Sequence, residues 1–317
     1  MLSNRVTICV ISYNSQGTIL ETLNSILTQT YKLKNIEVVI SDDGSSDNTK
    51  AIVDKWVEEN YNLFYDVITI FPGLNKGVSA NCNQGWRMAT SSWIKTIAAD
   101  DLLLSNCIYD NISFCNENKG VACLFSYMDA FIVGECGHES LYKLPAEHEI
   151  CFFSADAPEQ YQALLNDSVN FAPSSFISKK LLDNINYCDE KYKLIEDLPL
   201  WLKITKNDYK LHFMSKVTVK YRISNSLSNS TNRLVNLDFI EQLETMHKDL
   251  IWPNLHGLAK WRVFDKVVDL YSWKLTAKIF NNKKSKYSVA FRTAILFFRP
   301  STYTKFCKRM RLGRERK

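Results

Sequence analysis

Residues 6–17 read Val-Thr-Ile-Cys-Val-Ile-Ser, then Tyr-Asn-Ser-Gln-Gly. Seven residues rich in β-branched side chains, with no polar alternation until Ser12, describe a strand covered on both faces. Such a strand belongs inside a parallel sheet. From Thr18 the apolar residues Ile19, Leu20, Leu23, Ile26 and Leu27 fall at helical spacing, so the order is strand, loop, helix.

The plan repeats. Ile36 to Ser41 predicts a second strand, ended by Asp42-Asp43-Gly44-Ser45-Ser46-Asp47 and followed by a helix with Ile52, Val53, Trp56 and Val57 on one face. Tyr65 to Phe71 predicts a third, with Asn75-Lys76-Gly77 ahead of a helix from about Ser79 to Ala89. Trp93 to Ala99 predicts a fourth, ending in Asp100-Asp101 and then an apolar, helix-like Leu102-Leu103-Leu104. Alternating strands and helices predict an α/β fold with a mostly parallel sheet flanked by helices. Ligands of such sheets bind beyond the carboxyl ends of the strands, so the four polar clusters are expected on one rim.

Beyond Asn106 the pattern loosens. Val121 to Tyr127 predicts a strand, Phe131 to Phe153 has no regular period, Phe171 to Ser178 is strand-like, and a helix begins near Lys179. Glu196-Asp197 opens a helix that buries Leu198, Trp201 and Leu202, and Val217 to Ile223 returns to strand. Leu234 to Phe280 is mostly helical in pattern, and its exposed apolar residues could serve a homo-oligomer.

The chain has 317 residues, 46% apolar and 23% charged, the balance of an ordinary globular protein. Its net charge of +5 is unevenly placed: Lys283 to the end holds twelve Lys and Arg against one acid, Glu315, leaving −6 for residues 1–282. Nine scattered cysteines, none in a Cys-x-x-Cys pair, suit a reducing compartment. Without a signal-like N-terminus, or any apolar run near the roughly 18 residues a membrane helix needs, the expectation is a cytoplasmic protein. The basic tail, with Tyr287, Phe291, Ile295 and Phe298 at helical spacing, would place it on an anionic inner membrane face. No nucleic-acid motif accompanies that charge, and no two of the five His residues sit at zinc-ligand spacing.

Adjacent carboxylates at a strand end call for a compensating cation, although Asp101 also suits a helix N-cap. Glu196 and Asp197 likewise suit an ordinary first helical turn.

Taken together, the segments resemble, in order, those of the inverting family 2 glycosyltransferases of the GT-A, Rossmann-like fold, the group of bacterial capsule and O-antigen enzymes. The resemblance spans about residues 5–230 and implies a transferase domain at 1–230 with a helical, basic C-terminal extension at 231–317. It implies that Ser12, Tyr13 and Asn14 line a nucleotide base, that Asp43, supported by Asp42, accepts from uracil N3–H, and that Lys76, Gly77, Asn83 and Asp100 lie near ribose and diphosphate. Asp100 and Asp101 would bind Mn²⁺ or Mg²⁺, and Asp197, then Glu196, would be the catalytic base. Tyr221-Arg222 with Ser226 and Ser228 matches the family's closing segment. Three positions depart: Ala98 replaces the first acid of the DxD motif, Cys82 replaces an Arg, and Ser224 replaces a His.

The implied reaction moves sugar from a UDP-sugar to a hydroxyl of a glycan or lipid-linked glycan acceptor in surface polysaccharide synthesis. Two other readings are a nucleotidyltransferase, for which Ser12 to Gly17 lacks a basic phosphate loop, and a catalytically silent nucleotide-binding scaffold.

Overall fold

The computed structural model describes residues 5–134, 137–167, 171–223, 233–257, 259–297 and 299. The chain divides into two compact units. The first runs to Ile223 without Leu165–Asp167, and the second comprises those three residues together with Ser224–Lys317.

The first unit is built on a nine-stranded sheet. Its strands are β1 (Val6–Ser12), β2 (Ile36–Asp42), β3 (Asp66–Ile70), β4 (Trp93–Ala98), β5 (Leu102–Leu103), β6 (Cys123–Gly134), β7 (Gly137–Leu144), β8 (Phe176–Ser178) and β9 (Leu211–Arg222). Their order is β3-β2-β1-β4-β8-β6-β9-β5, with β7 against β6. The helices are α1 (Ile19–Leu27), α2 (Thr49–Asn60), α3 (Val78–Met88), α4 (Cys107–Glu117), α5 (Ala157–Asn166), α6 (Lys179–Ile185) and α7 (Asp197–Lys206).

The four strands expected first are the parallel part of the sheet. β1 pairs in parallel with β2 and with β4, and β2 with β3, so Ser12 lies beside Asp42 and Ile11 beside Ala98. Val6, Ile8, Val10, Val38 and Ile40 are fully buried with Ile19, Leu23 and Ile26 of α1. Each such side chain contributes about 1.5–3 kcal/mol relative to exposure. Val67, Trp56 and Phe64 extend the same core.

The second half is mixed. β8 is antiparallel to β4 and β6, β9 is parallel to β6, and β5 is antiparallel to β9. Leu102-Leu103, expected to be helical, is therefore extended: Leu102 lies opposite Lys220, and Leu104 N–H donates to the Thr218 carbonyl at 2.9 Å. Pairing with β9 overrides a local pattern only three residues long, and the helix begins at Cys107. The stretch from Phe131, which had no readable period, is the end of β6 and its hairpin return β7, with a register shift between Ala130 and Phe131. That bulge breaks the alternation by which a strand is recognised.

The second unit contains α8 (Leu237–Met246), α9 (Ala259–Ile279) and α10 (Lys286–Leu296). Val235, Ile240, Leu270 and Ala277 form its small core with Leu243 and Trp273. No helix among the described residues is long and apolar enough to cross a membrane. Ser224, Ser226, Ser228 and most of the basic tail lie outside the described residues.

Candidate active site

Parallel pairing puts the ends of β1, β2 and β4 on one rim. At β1 and β2 this rim is a lattice of short hydrogen bonds. Asp42 accepts from Ser12 Oγ (2.7 Å), Ser45 N–H (2.7 Å) and Ser45 Oγ (2.6 Å). Asp43 accepts Lys76 N–H on one oxygen (2.7 Å) and Gly77 N–H on the other (2.9 Å). Burial raises the Asp43 carboxyl above its ordinary range while these two amides pull it down. Gly44 turns the chain at φ +77, and a Cβ there would meet the Leu74 carbonyl carbon at 2.7 Å, so the 72–77 loop packs directly on this turn.

Asn14, with φ +48, receives Ser46 N–H on its side-chain oxygen (2.9 Å) and donates its own N–H to Ser45 Oγ (2.7 Å). Tyr13 beside it is exposed. Ser12, Tyr13, Asn14, Asp42, Asp43, Lys76 and Gly77 are thus brought together. The Lys76 backbone takes part in this lattice and its side chain is exposed.

Asn83 is not among them. It is fully buried, donates to the Cys188 carbonyl (3.0 Å) and Glu190 Oε1 (2.8 Å), and accepts Cys188 N–H (2.9 Å). It fastens α3 to the segment before α7. Gly77 serves the same junction: with φ +96 it lies so close to Lys193 that a Cβ would stand 2.5 Å from the Lys193 carbonyl oxygen. The Ser79 hydroxyl and the Tyr192 carbonyl complete it, with the hydroxyl donating at 2.5 Å.

At the end of β4, Asp100 is half-buried and Asp101 buried. Asp101 Oδ1 accepts Arg222 N–H (2.8 Å), and the Asp101 carbonyl accepts from Thr22 Oγ1 (2.8 Å). Arg222 Nε donates to the Asp100 carbonyl (2.7 Å), and its guanidinium pairs with Glu21 and lies 4.8 Å from the centre of the Phe131 ring. Asp101 Oδ2 is buried with no hydrogen-bond partner. Burial and the adjacent Asp100 hold the Asp101 carboxyl well above the ordinary range, and burial raises Asp100 as well.

Among the described residues there is no group of three or more His, Cys, Asp or Glu placed to hold a metal. Magnesium-type cations, however, often take only one or two protein carboxylates and complete their oxygen shell with phosphate and water. A half-exposed carboxylate next to an unpartnered carboxylate oxygen fits such a cation.

Glu196 and Asp197 stand at the start of α7, where they line a cleft of about 100 Å³ with Ile11, Cys82, Ala98 and Trp201. Asp197 Oδ1 accepts Leu198 N–H at 2.6 Å. A helix N-terminus favours negative charge, yet burial dominates: the Glu196 carboxyl is pushed up to about 8 by burial and by Asp197, and burial raises Asp197. Near neutral pH Glu196 therefore holds its proton. Trp201 Nε1, in the same wall, is buried without an acceptor.

The first unit thus carries Asp100-Asp101 at a strand-end rim, a loop-bound acidic pair after β2 and a desolvated carboxylate pair in a cleft lined by the end of β4. The model of glycosyl transferase family 2 matches residues 7–182. The chain belongs to that family. It is thus a family 2 glycosyltransferase, and its relatives bear this out. A UDP-Glc:alpha-D-GlcNAc-diphosphoundecaprenol beta-1,3-glucosyltransferase, WfaP, of Escherichia coli is 29% identical over 69% of this chain and 77% of its own length. A GalNAc(5)-diNAcBac-PP-undecaprenol beta-1,3-glucosyltransferase of Campylobacter jejuni is 24% identical over 91% of this chain and 88% of its own. In fold, this glycosyltransferase is similar to S. aureus TarS 1-349, solved with UDP-GlcNAc: TM-score 0.59 at 22% identity, over 84% of this chain and 72% of that one.

Sequence reasoning missed four residues that support the site. Asn81 Nδ2 donates to the Ser12 carbonyl (3.1 Å) while its oxygen accepts from Ser41 Oγ (2.6 Å). Lys95, fully buried in β4, donates to the carbonyls of Pro173 (2.6 Å) and Ser175 (3.2 Å), and burial lowers it to about 8. Glu21 and Thr22 of α1 hold Arg222 and Asp101. A lysine inside the apolar run Trp93 to Ala99 was the one signal available in the sequence.

Proposed function

We propose that this glycosyltransferase moves a sugar from a UDP-sugar to a hydroxyl of a lipid-linked glycan, inverting the anomeric centre in one displacement, in the synthesis of a bacterial surface polysaccharide. The observation that carries this reading is the desolvated Glu196–Asp197 pair in a cleft shared with Ala98, two residues before Asp100. A base on one side of that cleft and a diphosphate-binding strand end on the other are what an in-line displacement requires.

The nucleotide base is assigned to the ends of β1 and β2, beside Tyr13 and Asn14. An ionised carboxylate has about four acceptor positions, and Asp43 uses two on Lys76 and Gly77, so lone pairs are left for uracil N3–H. Asn83 and Gly77 act by positioning the 186–196 segment that leads into α7. Asp197 takes the proton of the acceptor hydroxyl, and Glu196 keeps its own proton, so that only one negative charge lies in the cleft. Asp100 and Asp101 would hold Mn²⁺ or Mg²⁺, which when bound supplies positive charge to the departing diphosphate. The lipid-linked acceptor and β-linked product are assigned by analogy with the activities of the E. coli and C. jejuni relatives.

The test incubates the full chain with UDP-sugars and GDP-sugars, an isoprenyl-diphosphate-linked sugar acceptor, and Mn²⁺ or chelator. UDP release with inverted product configuration by NMR, lost in chelator and in Asp100→Asn, is expected. Retained configuration, or turnover from GDP-sugars alone, would overturn the proposal.

A further inference from the structure

α9 buries Val263, Leu270, Ser272, Thr276 and Ala277. Five of its other large apolar residues do not follow them. Trp261, Phe264, Tyr271, Leu275 and Ile279 are all exposed, with Trp261 at 64% and Tyr271 at 62%. Spacings of 3, 7, 4 and 4 residues place them on one face, a stripe running 18 residues, or roughly 27 Å, along the helix. An uninterrupted apolar stripe of this size marks an interaction surface.

Its chemistry selects the partner. Trp, Tyr and Phe at the water boundary, with lysines at the flank, are the composition of helices that lie in a membrane interface. On the flank nearer α8, Lys278 is exposed and Lys260 sits 5.5 Å from the ring centre of Trp252, itself exposed. Phe264 and Tyr271 also line a recess of about 330 Å³ with Glu244, His247, Lys248, Trp252 and Val267, so the stripe borders an opening in the same unit. Charge points the same way. Residues 233–299 hold twelve Lys and Arg against six Asp and Glu, net +6, whereas residues 5–223 carry −7. Two such cationic segments would repel in a symmetric dimer, and an anionic lipid surface would attract one.

We infer that the outward face of α9 is a membrane-docking surface that seats Trp261, Phe264, Tyr271, Leu275 and Ile279 at the interface of an anionic bilayer. This assigns membrane contact to a folded helix, independently of the basic residues after Pro300, and goes beyond the donor and acceptor chemistry above.

The experiment sediments the full chain with phosphatidylcholine vesicles, with and without phosphatidylglycerol. Three proteins are compared: wild type, a Trp261→Ser/Tyr271→Ser/Leu275→Ser variant that keeps the tail, and Trp261→Phe. Wild type is expected to bind only the vesicles containing phosphatidylglycerol, and the triple variant to lose about tenfold or more in partitioning. Lipid brominated near the headgroup should quench wild-type tryptophan fluorescence more than that of Trp261→Phe. Unchanged circular dichroism and unchanged turnover of a soluble acceptor show that fold and donor chemistry survive, so failure here is separable from failure of the UDP-sugar reading. Equal binding by the triple variant and wild type would overturn the inference, as would wild type that ignores anionic vesicles. A wild-type dimer in sedimentation velocity that the triple variant lacks, without vesicle binding, would assign the face to a second copy instead.

Discussion

The carboxylates at the end of β2 are surrounded by donors, whereas those at the end of β4 and the start of α7 are not. Asp42 accepts three hydrogen bonds and Asp43 two from successive backbone amides. Asp101 Oδ2 has no partner, and the Glu196–Asp197 pair accepts a single hydrogen bond from another residue's amide, at Asp197. A carboxylate with its acceptors filled is a fixed piece of architecture. One stripped of water and left short of donors is held ready to bind a cation or a proton. In the proposed mechanism the difference separates acids that shape the site from acids that do its chemistry.

The largest effect should come from the second group. Asp197→Asn keeps shape and removes the base, so kcat should fall roughly 10²–10⁴-fold while calorimetric binding of UDP is retained. If instead Glu196→Gln shows that loss and Asp197→Asn stays active, the two roles exchange. The pH profile sharpens the assignment: activity should hold up to about 8 and fall above it, where Glu196 loses the proton that keeps a second negative charge out of the cleft. In Glu196→Gln that fall should disappear, because Gln stays neutral and no second charge forms beside Asp197.

The same substitution gives the second effect, on stability. Glu196 is raised in the folded state, from 4.5 to about 8, so the fold binds this proton more tightly than the unfolded chain does. Its stabilising contribution is fully present below about 4.5 and is lost as pH rises through about 8. Glu196→Gln cannot titrate, and should gain stability over wild type across that window, by on the order of a few kcal/mol above it. Denaturant melts at pH 5 and pH 8.5 check the sign.

The smallest effect is expected where donors are plentiful. Asp42→Ala should cost about 1–3 kcal/mol, since it strands the Ser12 and Ser45 donors. It should raise KM for the donor more than it lowers kcat. A selective loss of kcat would place Asp42 with the chemical acids and dissolve the comparison.

The sequence made one half of this visible. β1 to β4 were readable because buried parallel strands are continuous apolar runs, and the polar clusters stand out where those runs stop. The other half was readable only in part. Val121 to Tyr127, Phe171 to Ser178 and Val217 to Ile223 were expected as strands and fall in β6, β8 and β9, whereas β5, two residues long, and the part of β6 beyond its bulge, with β7, declared no period. Within the site, pairs that meet through the backbone left no trace in side-chain pattern. Asp43 with the Lys76 and Gly77 amides, and Asp101 with Arg222 N–H, are contacts of the main chain. Asn83 misled for a related reason, since an Asn suits a ligand and a loop junction equally well.

The strand order also has a consequence for synthesis on the ribosome. β3-β2-β1-β4 can assemble once residue 98 has emerged, but the far edge of β4 at Trp93–Lys95 is covered only by Phe176–Ser178. For the nearly eighty residues of translation between, that edge is an open row of backbone donors and acceptors beside an apolar strand, the feature that seeds intermolecular pairing. Lys95 stands on that edge, charged while the strand is still wet, and is buried only when the carbonyls of Pro173 and Ser175 arrive with β8. A cation that keeps a nascent edge from sticking, and then latches the strand that closes it, is a guard built into the order of folding.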